Sequence, residues 1–274
     1  MASFARRVAS VITSPANPAV KQIRALRERK ERDRSGLCFI EGIRLVAEAV
    51  QLGAPVQQLV VAPELLSSDF AHEMVQSQRA AGVGVMEVGG AVFESLSRKE
   101  GPQGLGAVVR QQWLPLDAAR ADVGLCWVAL DAVADPGNLG TILRTCDAVG
   151  AAGAILLGAT SDPYDPAALR GSMGAVFSQR LVRAPFDAFI AWARSQRCAV
   201  IGTSDQATAD LRAFPFPRPL ALLMGSERQG LSPAQQAQCD AVVSIPMRGR
   251  SDSLNLAVAT GVALYEIFYQ HARV

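Results

Sequence analysis

Short unbroken apolar runs along the chain alternate with stretches in which apolar residues return every three or four positions, the mark of strands separated by helices. Asn17-Pro18 reads as a helix start, with Asn as N-cap and Pro at the first helical position, and Gly36 reads as its stop. Within that helix Val20, Ile23 and Leu26 share one face. The pattern then predicts a helix over Ile43 to Leu52, a strand at Val56 to Ala62, a helix near Asp69 to Ala81, and strands at Val83 to Val88 and Gly104 to Arg110. Trp113 to Asp122, where proline interrupts both periods, is expected to be a connector.

Beyond it, Leu125 to Asp131 is apolar enough for a strand covered on both faces. A helical stripe of Leu139, Ile142, Leu143, Cys146 and Val149 follows, then a strand at Ala154 to Leu157, making a βαβ unit. Further strands are expected at Leu181 to Arg183, Ala199 to Thr203, Leu220 to Met224 and Ala241 to Ile245. Helices are expected near Asp187 to Ser195, Pro233 to Gln238 and Ser253 to Tyr269.

Three junctions in this second half carry polar side chains at glycine-containing turns. They are Asn138-Leu-Gly140-Thr-Ile-Leu-Arg144, Leu223-Met-Gly225-Ser-Glu227-Arg-Gln-Gly230, and Ile245-Pro-Met-Arg-Gly249 running into Ser253-Leu-Asn255. In open α/β sheets ligands collect at such strand-to-helix junctions. In order and spacing the three resemble the signature motifs of SPOUT methyltransferases, in the TrmH/SpoU branch that methylates ribose 2′-hydroxyls of RNA. Phe39-Ile-Glu-Gly-Ile-Arg44-Leu-Val-Ala-Glu48 looks like the small substrate-binding domain of the same family.

The resemblance implies an α/β fold: a knotted parallel-sheet SPOUT domain preceded by a small α/β RNA-binding domain similar to ribosomal proteins. The expected division is a basic helical arm over residues 1–36, a substrate-binding domain over 37–112 and the methyltransferase domain over 122–274. It also implies a homodimer, for which Ala257, Ala259, Gly261 and Ala263 would permit close helix packing. Ala257 departs from the serine often found at its position.

Composition narrows the chemistry. Only His72 and His271 are present, neither beside another ligand type, so neither a metal centre nor a histidine triad is expected. The five cysteines form no Cys-x-x-Cys pair and read as reduced core thiols, and no apolar stretch is long enough to cross a bilayer. Net charge is only +2, but residues 1–35 hold nine Lys or Arg, Arg6 and Arg7 among them, against three acids. Such a helix suits either a solvated face or an arm on RNA phosphates. The first ten residues lack acids, as transit peptides do, but family-like sequence begins near Ile12, so a cytoplasmic protein is expected.

By resemblance, S-adenosyl-L-methionine is the cofactor, held by Met224, Gly225, Ile245, Leu254 and Gly249, with the two glycines allowing close backbone approach or positive φ. No Gly-x-Gly-x-x-Gly follows a strand, which argues against a Rossmann-type methyltransferase. The catalytic set implied is Arg144, Asn138, Glu227, Ser253 and Asn255. A neutral arginine at pH 7 would cost about 7 kcal/mol, so Arg144 is better suited to gripping phosphate and ribose than to acting as a base. Glu227 is placed to orient Arg144 or receive a proton, Asn138 to cap the first motif helix, and Ser253 with Asn255 to open the last. Arg170, Ser172 and Arg44 are expected to meet RNA. Ribosomal RNA is the expected substrate; a transfer RNA ribose methyltransferase, or a non-catalytic RNA-binding assembly factor, is the alternative.

Overall fold

The structure, a computed structural model, describes residues 11–98 and 100–272. Arg6, Arg7 and the rest of the acid-free leading segment lie outside the described residues. The chain divides into two compact units, Met1–Gln111 and Gln112–Val274.

In the first unit Asn17 caps helix α1 (Pro18–Ala25) by accepting from Ala19 N at 2.9 Å, as its sequence predicts. The expected single helix to Gly36 is instead two, because α1 ends at Ala25 and α2 runs Arg29–Ser35. Arg32 accounts for the break. Its side chain is 2% exposed, and its guanidinium donates to Leu26 O at 3.0 Å and Arg27 O at 2.7 Å, two carbonyls that lie in the gap. Arg24 donates to Ser95 Oγ at 2.7 Å, and Arg27 to Ser95 O at 2.9 Å and Ser97 O at 3.1 Å. Burial, then the charges of Arg98 and Arg24, lowers the Arg27 pKa. Three of the basic residues in this segment are therefore internal ties, while Lys21 and Lys30 stay exposed.

The chain continues through β1 (Leu37–Glu41), α3 (Ile43–Gln51), β2 (Val56–Val61), α4 (Asp69–Ala80), β3 (Gly84–Glu87), α5 (Gly90–Leu96) and β4 (Leu105–Arg110). The sheet order is β1-β4-β2-β3, with β4 antiparallel to both neighbours and β2 parallel to β3. Val20, Ile23 and Leu26 share a core with Val60, Met86 and Phe93.

The second unit contains β5 (Trp127–Asp131), α6 (Pro136–Ala148), β6 (Gly153–Leu157), α7 (Pro166–Ser172), β7 (Leu181–Ala184), α8 (Phe186–Ser195), β8 (Ala199–Thr203), β9 (Ala209–Asp210), β10 (Leu220–Met224), α9 (Pro233–Gln236), β11 (Ala241–Ser244) and α10 (Leu256–Ala272). The expected connector is packed here: Ala119 and Ala121 are buried, and the indoles of Trp192 and Trp127 donate to Ala119 O and Arg120 O at 2.9 and 2.8 Å.

The sheet order is β7-β6-β5-β10-β8-β11-β9 and every neighbouring pair is parallel. All strands thus end at one edge. From β5 the chain steps outward through β6 and β7, crosses to β8, and then places β10 in the gap between β5 and β8. That reversal is where a ligand crevice opens in such sheets. β6 and β10 are buried at every residue, which explains their unbroken apolar sequence. Gly140 serves helix packing: a Cβ there would fall on Ala168 O of α7 and lie 2.9 Å from Ser172 N.

Candidate active site

The three motif loops meet at the carboxyl ends of β5, β10 and β11. After β5, Asp135 caps α6 by accepting from Asn138 N at 2.7 Å, with Pro136 in the first turn. Asn138 is therefore not the cap it was expected to be; it is the third residue of the helix, and its side chain is released for other partners.

That side chain joins the other two loops. Asn255 Oδ1 accepts from Ala257 N at 2.9 Å and Val258 N at 3.3 Å, so its Nδ2 must face outward, where it donates to Asn138 Oδ1 at 3.1 Å. Asn138 Nδ2 then donates to Glu227 Oε1 at 3.1 Å. Each amide orientation follows from the backbone donors at the far end. Glu227 also accepts from Ala134 N at 2.7 Å and Asp135 N at 3.2 Å. One directed chain of hydrogen bonds thus ties the three motifs together.

Partial burial pushes the Glu227 pKa up, and the bonds donated by Ala134 N, Asn138 and Asp135 N outweigh it, so the carboxyl is held below its ordinary value. Its oxygens are spent on the loop after β5 and on Asn138, and it makes no hydrogen bond or ion pair with Arg144, so in this structure it ties the loops together and does not orient that guanidinium. Arg144 is exposed on α6, without a hydrogen bond or ion pair among the described residues. Ser253 Oγ donates to Asp252 Oδ1 at 3.2 Å, and α10 begins at Leu256, so Asn255, not Ser253, satisfies its first amides.

Behind the relay lies a cavity of about 400 Å³, walled by Thr203, Met224 and Val243 from three adjacent strands. Met224, Gly225, Ile245 and Leu254 all line it, and Gly249 does not. Gly225 has a definite reason to lack a side chain, because a Cβ would fall on the backbone of Gly230, which closes the turn through Ser226 N to Gly230 O at 3.2 Å and the reciprocal bond at 3.0 Å. Gly249 has neither a close neighbour nor positive φ, so that expectation fails for it. A more open cleft shares Glu227, Ser253, Leu254 and Leu256 with the cavity and adds Asp135, Asn138 and Asn255.

Ser172 is buried with its hydroxyl donated to Leu169 O at 2.9 Å, so in this structure it faces the fold and not RNA; Arg170 on the same helix is exposed. Arg44 is exposed in the first unit. Sequence reading missed the loop Thr203-Ser204-Asp205-Gln206, which also lines the cavity. It follows a strand that neighbours β10, and that adjacency was the unread signal.

The second unit is thus a parallel α/β sheet with a cavity at its strand-order reversal, lined by loop residues and strand ends. Residues 126–265 match the SpoU rRNA Methylase family and residues 17–107 the MRM3-like substrate binding domain. The chain belongs to the SpoU rRNA methylase family. It is 34% identical, over 89% of this chain and 87% of the other, to a 23S rRNA (uridine(2479)-2'-O)-methyltransferase of Streptomyces viridochromogenes. It is 30% identical to the 23S rRNA (guanosine(2553)-2'-O)-methyltransferase of Bacillus subtilis, over 93% of this chain and 98% of the other. The crystal structure of an AdoMet-bound rRNA methyltransferase from Sinorhizobium meliloti superimposes with a TM-score of 0.86 at 39% identity, covering 94% of this chain and 97% of that one.

Proposed function

We propose that this chain methylates a ribose 2′-hydroxyl of ribosomal RNA, using S-adenosylmethionine held in the cavity behind the Asn138–Glu227–Asn255 relay. The observation that carries this reading is one hydrogen-bond chain that joins all three motif loops beside a cavity lined by the second and third of them. The cavity's size and its mixture of apolar side chains with loop backbone suit such a molecule, and Gly225 keeps the turn beside it tight. Met224, Gly225, Ile245 and Leu254 would hold it. When bound, S-adenosylmethionine supplies a sulfonium methyl, whose bond to sulfur breaks as the bond to the ribose oxygen forms.

The protein's part is to place the hydroxyl and to stabilise the charge that develops on it. Holding reactants in line can supply about 7–11 kcal/mol of the barrier. Arg144 grips phosphate and ribose and favours the oxyanion as the hydroxyl proton leaves to an RNA phosphate oxygen or water. Glu227 fixes the loop after β5 and, through Asn138, the start of α10. Ser253 and Asn255 shape the cleft wall, and Arg170 and Arg44 meet RNA.

A non-catalytic assembly factor would have no need of the intact relay, and the separate amino-terminal unit favours ribosomal over transfer RNA. The protein acts in the cytoplasm as a homodimer. Val258, Val262, Tyr265 and Tyr269 recur along one exposed face of α10 and support that dimer, whereas Ala257 and Ala263, expected to serve it, are buried within their own unit. The test is transfer of labelled methyl into total RNA from cells lacking the protein, sized before alkaline digestion. Label in alkali-resistant dinucleotides of ribosomal RNA is expected; label in transfer RNA, or in mononucleotides, contradicts the reading.

A further inference from the structure

The loop between Ile245 and Leu254 borders the cavity at both of its ends. Ile245 and Met247 on one side, and Asp252, Ser253 and Leu254 on the other, line the cavity, while the apex carries Arg248 and Arg250. We propose that Arg248 and Arg250 bind backbone phosphates of the RNA beside the nucleotide being methylated. The proposal rests on the methyltransferase reading above and adds to it the residues that seat the substrate.

Both side chains are exposed, and among the described residues neither has a hydrogen bond or ion pair. Other arginines of the unit are tied down, Arg120 to Asp122 at 2.8 Å, Arg194 to Gln238 at 2.7 Å and Arg218 to His271 at 2.8 Å, while Arg144, Arg170 and Arg228 share with Arg248 and Arg250 the lack of a side-chain partner among the described residues. The acids near the cavity are committed elsewhere. Glu227 accepts from the loop after β5, Asp135 caps α6, Asp205 accepts from Gln206 Nε2 at 3.1 Å and Asp252 from Ser253 Oγ. Two guanidiniums two residues apart are thus held at the apex of a loop whose ends border the cavity, without counter-ions from the chain. Their planar forks match phosphate oxygens, and a polyanion supplies the missing charge. Arg228 lines the cavity and Arg248 and Arg250 do not, so their ligand is the RNA and not the cofactor.

Arg248→Gln, Arg250→Gln and the double variant are compared with the parent for ribosomal RNA affinity across a salt series, and for S-adenosylmethionine affinity by calorimetry. The double variant is expected to bind RNA about tenfold or more weakly, with the slope of log affinity against log salt reduced by about one for each arginine removed. Cofactor affinity stays at the parental value. The Arg248→Lys/Arg250→Lys pair keeps the parental slope, because it keeps the charge. RNA affinity and salt slope equal to the parent's in the double glutamine variant would overturn the proposal, as would a matching loss of cofactor affinity. RNA binding by the parent without methyl transfer would instead sink the proposed reaction, and the binding comparison would still decide the role of the two arginines.

Discussion

The side-chain amide of Asn255 donates to the side-chain oxygen of Asn138 across 3.1 Å, joining residues 117 positions apart. Asn138 sits on α6 and Asn255 opens α10, so this contact sets the distance between the first and third motif loops. Asn138→Ala leaves Glu227 one donor short and Asn255 without its acceptor. Net stability should fall by about 0.5–1.5 kcal/mol per lost bond, and single-turnover methyl transfer should fall at least tenfold. Denaturant midpoints and rapid-quench assays check this.

Glu227 gives a pH signature. Its carboxyl is held below the ordinary 4.5, so its stabilising contribution is complete above that value and is lost as pH falls through the lowered one. Glu227→Gln should therefore lower the Tm near neutrality, and the gap from the parent should close below about pH 4.5. The parent's rate profile between pH 6 and 8 should show no inflection from this group. An inflection removed by the glutamine variant would identify Glu227 as a proton acceptor.

Arg144 is exposed and unpartnered among the described residues, so its removal should cost little in the fold. Arg144→Ala is expected to keep the parental Tm within a few degrees and the parental cofactor affinity while losing methyl transfer by a factor of a hundred or more. The proposed role fails if the variant turns over normally.

The glycines separate by environment. Gly140→Ala, which meets Ala168 O, should destabilise by about 1–3 kcal/mol, and Gly225→Ala, which meets Gly230, should weaken cofactor binding. Gly249→Ala meets nothing within 4 Å and should stay within about 0.5 kcal/mol of the parent. Urea titrations and calorimetry distinguish the three.

Much of this was legible in the chain. The buried strands β5, β6 and β10 read as apolar runs because they are covered on both faces, and the motif residues read as a set because resemblance supplied their order. The Asp135 cap was legible too: Asp135-Pro136 repeats the Asn17-Pro18 signal. Other features depend on tertiary contacts. Arg32 looks like one more surface base, yet its burial splits a helix, and Ser172 looks available until α7 packs it inward. Helix α5 opens on Gly90 and β9 has only two residues, too little for any period to register.

Calorimetric titration of the intact chain with S-adenosylmethionine tests the central claim most directly. One binding event per chain is expected, weakened in Gly225→Ala and preserved in Arg144→Ala. A well-folded parent that takes up none of it, with or without ribosomal RNA present, would contradict the account.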